Sequence, residues 1–129
     1  VAPGGYPPSA RAQIRQSLGA LRALAPRPPA LVAGTRYLTA IDKAHPRDDH
    51  WYLELLVVDP SVQRLGVGAL LQGPLLADAD RTGLDCYLET QNEANLAYYR
   101  RFGYDVAEVL RPVAGGPPLW TMRRPPVRD

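Results

Sequence analysis

The sequence predicts an α/β domain, a mixed sheet flanked by helices, and three observations predict it. Short apolar runs over residues 51–58, 84–90 and 104–110 alternate with helical stretches over 66–80 and 93–102. Proline and glycine punctuate the junctions, where chain direction must change. One apolar run also leads into two glycines at which the next helix opens. The order strand, helix, strand, helix, strand, strand implies layers with at least one right-handed crossover.

The elements follow in order. Val1-Ala2-Pro3-Gly4-Gly5-Tyr6-Pro7-Pro8 reads as a loop entered from an upstream segment. Ser9 then caps a helix whose Ile14, Leu18, Leu21 and Ala25 recur at helical spacing, and Pro26, Pro28 and Pro29 stop it. A second helix is predicted over 30–44, with Leu31, Leu38 and Ile41 on one side and Gly34 weakening it. His45 to His50 is a polar loop. Trp51 to Val58, interrupted only by Glu54, reads as a mostly buried strand ended by Asp59-Pro60. Within the helix over 66–80, Pro74 should cost about 3 kcal/mol or produce a kink. Leu70, Leu71, Leu75 and Leu76 keep an apolar side across it, which predicts one kinked helix. Leu84 to Thr90 is a strand, and the helix over 93–102 stops at Gly103. Tyr104 to Leu110, the turn Gly115-Gly116-Pro117-Pro118 and a short strand over Leu119–Met122 complete the chain.

Composition narrows the function. At 129 residues, 46% hydrophobic and 22% charged, the chain fits a single globular domain. A net charge of +2, with basic residues scattered apart from Arg123, Arg124 and Arg128, argues against nucleic acid as a partner. No run is long and apolar enough for a membrane span and no secretory pattern opens the chain, so a cytoplasmic location is the expectation. The lone Cys86 lies in an apolar run and reads as a core residue. His45, Asp48, Asp49 and His50 cluster on paper, but Pro46 and the irregular loop argue against a defined metal geometry, so no metal is expected.

The chemistry concentrates in Val58-Asp59-Pro60-Ser61-Val62-Gln63-Arg64-Leu65-Gly66-Val67-Gly68-Ala69-Leu70-Leu71. The first N–H groups of a helix have no partner within it, and the helix dipole favours an anion there. Gly66 and Gly68 remove side chains that would hold a diphosphate away from those groups. A dinucleotide fingerprint would need a third glycine where Leu71 stands, and a phosphate-binding loop of the Gly-Lys-Ser/Thr type is absent.

Gln63-x-x-Gly66-x-Gly68, preceded by Val57-Val58-Asp59-Pro60, resembles the signature loop of the GNAT superfamily of N-acetyltransferases. The stretch from Leu88 to Tyr104 is similar to the family's second motif, in which Asn95 precedes Tyr99 by four residues and Gly103-Tyr104 closes the helix. Pro118-Leu119-Trp120-Thr121-Met122 resembles the closing strand of one bacterial branch. The resemblance covers about Trp51 to Met122. It implies acetyl-coenzyme A as cosubstrate and no metal. Gln63, Arg64, Leu65, Gly66, Val67, Gly68 and Ala69 would hold the pyrophosphate through backbone N–H groups. Backbone groups at Leu56, Val57 and Val58 would bond the pantetheine arm and the thioester carbonyl where this strand splays from its neighbour. Asn95 would contact the arm, and Tyr99 would donate a proton to the departing thiolate. Tyrosine titrates near about 10, so Tyr99 would be a donor, although its type also suits packing with Leu96 and Phe102. Glu54, a carboxylate in an apolar run, is the candidate general base, with an ion pair or a solvent-facing edge position as its other reading.

The family's early strands have no convincing counterpart here. The expected fold is therefore GNAT-like but lacking the usual first strands. Residues 1–50 would form a helical segment, 51–123 the acetyl-coenzyme A binding core and 124–129 a basic tail. An uncovered sheet edge predicts pairing with a second copy as a homodimer. Two functions fit: transfer of an acetyl group to a primary amine of undefined identity, or a catalytically inactive coenzyme A binding module.

Overall fold

A computed structural model describes residues 28–128. The helix predicted from Ser9 lies outside the described residues. Helix α1 (Pro28–Ala44) leads through a loop to strand β1 (Trp51–Tyr52). A 3₁₀ turn (Pro60–Val62) precedes helix α2 (Val67–Thr82), strand β2 (Cys86–Thr90), helix α3 (Ala94–Arg100) and strands β3 (Asp105–Leu110) and β4 (Leu119–Arg124). The sheet order is β1-β2-β4-β3, with β1 parallel to β2 and the other pairs antiparallel. This is the mixed α/β sheet that the alternation predicts.

Strand alternation gives the sheet two different faces. Cys86 and Leu88 of β2 and Met122 of β4 point to one face, where they form the core with Ala79 of α2, Leu96 of α3 and Tyr104. Leu75, Leu76, Tyr99 and Phe102 close over that core, so α2 and α3 cover this face. Burying these side chains contributes about 1.5–3 kcal/mol each. Tyr87 and Glu89 point to the other face, toward the end of α1, where the Tyr87 hydroxyl donates to the Ala44 carbonyl at 3.4 Å. Tyr37 of α1 donates to the Pro117 carbonyl, which pins the helix to the turn between β3 and β4.

Helix α2 runs unbroken through Pro74, but the predicted apolar side is not what carries it, since Leu70 and Leu71 are 76% and 55% exposed and only Leu75 and Leu76 pack on the core. Gly83, at φ 70°, ends it by returning its N–H to the Ala79 and Asp80 carbonyls. Gly103, at φ 87°, follows α3 in the same left-handed region.

Three expectations need correction. The strand predicted over Trp51–Val58 is only Trp51–Tyr52, and Leu55 and Val57 beyond it are 77% and 69% exposed. Its ladder ends because Leu53 N–H to the Tyr87 carbonyl, at 2.9 Å, is the last bond to β2 before the two segments part. The loop from His45 to His50 is polar in sequence, yet both histidines are buried. Finally, Arg123 and Arg124 stand in β4, not in a solvated tail. Arg124 is 6% exposed and forks onto Asp80 at 2.8 and 2.9 Å, while Arg123 pairs with Asp48 and Asp85.

Candidate active site

Local geometry leaves the start of α2, the candidate anion cradle, open and uncapped. The Asp59 carboxylate accepts from the Ser61 N–H at 2.8 Å and from its hydroxyl at 2.6 Å, which winds the 3₁₀ turn. Both bonds hold the Asp59 carboxyl below its usual range. The Gln63 amide then donates to the Val58 carbonyl at 3.0 Å, folding the loop back on the end of the β1 segment. Arg64 and Gly66 turn the chain through positive φ, 64° and 81°. A Cβ at Gly66 would meet nothing within 4 Å, so this glycine serves the backbone turn and leaves open space in front of it. No side chain caps α2 at Gly66. The N–H groups of Val67, Gly68 and Ala69 therefore lead the helix without a side-chain acceptor, and Gln63, Arg64 and Leu65 are exposed around them.

Gly68 has a different reason. A Cβ there would lie 2.4 Å from the Tyr98 hydroxyl oxygen and 3.8 Å from Val58 Cγ2. Tyr98 thus reaches from α3 onto the first turn of α2, where the buried Gln72 amide donates to its hydroxyl at 3.1 Å.

The cradle adjoins an opening in the sheet. Beyond Leu53 the chain leaves the β2 ladder while β2 continues to Thr90. Among the described residues no backbone bond joins Leu56, Val57 or Val58 to Leu88–Thr90. Leu56 and Val58 are half-buried and Val57 faces out. On the helical side, Tyr99 packs against the core with its ring 5.3 Å from Tyr98 and 5.8 Å from Tyr104. Burial raises its hydroxyl above the ordinary tyrosine value, with the neighbouring Tyr98 adding to this. Asn95 ties α3 to β2 by donating to Thr90 Oγ1 at 3.1 Å.

On the opposite face Glu54 is exposed. Its charge reaches a carboxylate that the sequence reading did not single out, Glu89. Glu89 sits two residues past the last β1–β2 bond, buried, and accepts from the Tyr52 hydroxyl at 2.8 Å. Burial pushes its carboxyl up, and the Glu54 charge adds to this, while the Tyr52 and Tyr87 hydroxyls oppose it. The signal for it was an acidic residue inside a strand-forming run, the same signal that drew attention to Glu54. The Trp51 indole, in turn, donates to Thr82 at 3.0 Å and packs on the core, so it is a wall residue. Among the described residues no group of three or more His, Cys, Asp or Glu side chains could hold a metal ion.

The comparisons with known proteins agree with this geometry. The sequence profile of the Acetyltransferase (GNAT) family matches residues 19–104. One similar solved structure is the histone acetyltransferase HPA2 and related acetyltransferase from Corynebacterium glutamicum ATCC 13032. It is 28% identical, with a TM-score of 0.57, over 67% of this chain and 46% of that one. Another is Chaetomium thermophilum Naa20 in complex with a bisubstrate analogue, at 27% identity and a TM-score of 0.55, over 70% of this chain and 55% of that one. Ard1 from Thermoplasma volcanium, at 23% identity and a TM-score of 0.52 over 60% of this chain and 55% of that one, shares the fold. The chain spans about half the length of these structures. With two thirds of its residues inside the family match, the chain belongs to the GNAT acetyltransferase family.

Proposed function

We propose that the chain transfers an acetyl group from acetyl-coenzyme A to a primary amine by direct attack. The observation that carries this reading is the uncapped start of α2 beside the opening between β1 and β2. Its N–H groups and the empty space before Gly66 fit a diphosphate. Backbone N–H groups from Gln63 to Ala69 would take the diphosphate. The main chain at Leu56, Val57 and Val58 would line up the pantetheine arm, and Asn95 would face it from α3. Gln63 and Asn95 contribute partly by shaping their own loops, since both side chains already bond the protein.

Bound there, acetyl-coenzyme A supplies an activated thioester and a thiolate leaving group. An aligned backbone N–H at the end of the β1 segment stabilises charge developing on the carbonyl oxygen. Tyr99, held protonated by its buried setting, donates to the sulfur. Glu54, exposed at the mouth, draws in the ammonium. Glu89, whose raised proton affinity suits a general base, accepts its proton.

Calorimetry with acetyl-coenzyme A, paired with thiol release in the presence of primary amines, tests this reading. Binding heat together with amine-dependent thiol release is expected. Heat without thiol release would instead identify a module that binds coenzyme A and does not turn it over. Absence of heat at millimolar ligand removes the reading altogether.

A further inference from the structure

Behind Glu89 lies a buried polar group that the transfer reading does not use. His45 follows α1 and His50 precedes β1, and both are buried. Their Nε2 atoms stand 3.0 Å apart, and Nδ1 of His50 lies 2.7 Å from the Asp48 carbonyl oxygen. Nδ1 of His45 faces Oε1 of Glu89 at 3.6 Å.

Hydrogen-bond chemistry orders these protons. A carbonyl oxygen only accepts, so Nδ1 of His50 carries the proton that it donates to Asp48. In the neutral ring Nε2 of His50 is then an acceptor. Nε2 of His45 must be the donor across the 3.0 Å contact. That choice leaves Nδ1 of neutral His45 as a lone pair aimed at the Glu89 carboxylate. Two acceptors facing each other stand apart, as the 3.6 Å gap does, and the gap can take up one proton. The loop that sets this tautomer is fixed from outside, because the Asp48 carboxylate is held by Arg123 at 2.6 Å and Arg123 also holds Asp85 at 3.0 Å.

We propose that His45 is a positioning partner of Glu89, a neutral acceptor for its protonated carboxyl, with the tautomer set by His50. This rests on the acetyl-transfer reading. The proton that Glu89 takes from the amine stays on its carboxyl, which donates it as a hydrogen bond to Nδ1 of neutral His45. Glu89 gives that proton up to water once the products leave and is restored as a carboxylate. No other group changes its bonding. The shifts run in the direction that this bond requires, a neutral imidazole facing a carboxyl that keeps its proton. Burial lowers His45 to about 4, aided by the charges of His50 and Arg47 and opposed by Asp42. Burial also raises the Glu89 carboxyl. Tyr52 of β1 and Tyr87 of β2 pack edge-on against the His45 ring.

The test uses the full chain, with n-butylamine, spermidine and a peptide with a free N-terminal alanine as acceptor probes. In the wild type, ¹⁵N NMR of the imidazoles at neutral pH should show His45 as the Nε2–H tautomer and His50 as the Nδ1–H tautomer. An Nδ1–H tautomer at His45 overturns the proposal without any variant. His45→Leu fills the space of the ring but offers the protonated carboxyl no acceptor. It should lower kcat about tenfold and move the acid limb of the pH profile, with the KM for acetyl-coenzyme A unchanged. If His45→Leu matches the wild type in kcat and pH profile, the proposal fails while acetyl transfer stands. If the wild type releases no thiol with any of the three probes, both fall together.

Discussion

A methyl group added at Gly68 would sit 2.4 Å from the Tyr98 hydroxyl oxygen, a distance that forces one of the two to move. Gly68→Ala should therefore cost about 1–3 kcal/mol as an overpacking change, and weaken acetyl-coenzyme A binding by tilting the first turn of α2. Adding Tyr98→Phe, which deletes the colliding oxygen, should restore most of the melting temperature. Recovery in the double variant, read by thermal denaturation, checks the assignment. Tyr99 belongs to the same helix but plays another part. Tyr99→Phe should lower kcat by about a hundredfold with cofactor binding intact, and unchanged turnover would reduce Tyr99 to a packing residue. At this scale the sequence was partly legible. Gly66 and Gly68 could be found by spacing, but both were read as making room for a ligand. Only the backbone torsions and the Tyr98 contact separate a glycine needed for a turn from one needed for a neighbour.

Elements were legible where their signals are local. Gly103 follows α3 at positive φ, the stop that the sequence predicts, whereas Gly83, which ends α2 in the same way, and the 3₁₀ turn opened by Asp59-Pro60 were not read. The segment from Trp51 to Val58 was over-read as one buried strand because a strand's length is set by its neighbours. Nothing in Leu53–Val58 itself says where β2 stops pairing with it. Helix α2 shows the opposite case, for it continues through Pro74 despite the missing N–H, anchored after the proline by Leu75 and Leu76 while Leu70 and Leu71 stay exposed. Pro74→Ala restores a donor at an exposed position and should raise the melting temperature, by about 1–3 kcal/mol of added stability. A lowered midpoint would mean that the helix depends on the proline's bend.

Over the whole molecule, one side chain joins three elements. Arg124 of β4 forks onto Asp80 of α2 and donates through Nε to the Phe102 carbonyl after α3 at 2.9 Å, and Asp80 also accepts from the Val127 N–H at 2.7 Å. Arg124→Ala should destabilise the fold by about 3 kcal/mol, measurable by urea denaturation. Arg124 also holds the Asp80 carboxyl below its usual range. On acidification the unfolded chain binds that proton first. The contribution is thus full above about pH 4 and fades as pH falls through the folded value. His45, depressed to about 4, adds a second slope: stability should decline from about pH 6.5 downward, and His45→Gln should flatten that part of the curve. Neither network was legible in sequence, because Arg124 and Asp80, or His45 and Glu89, meet only when the sheet has formed. Cys86 lies under the same construction, fully enclosed and the chain's lone thiol. The native polypeptide should consequently be silent toward aromatic disulfide reagents. Any slow colour that develops without substrate would time the transient breathing of the interior, a built-in clock for how often the molecule comes apart.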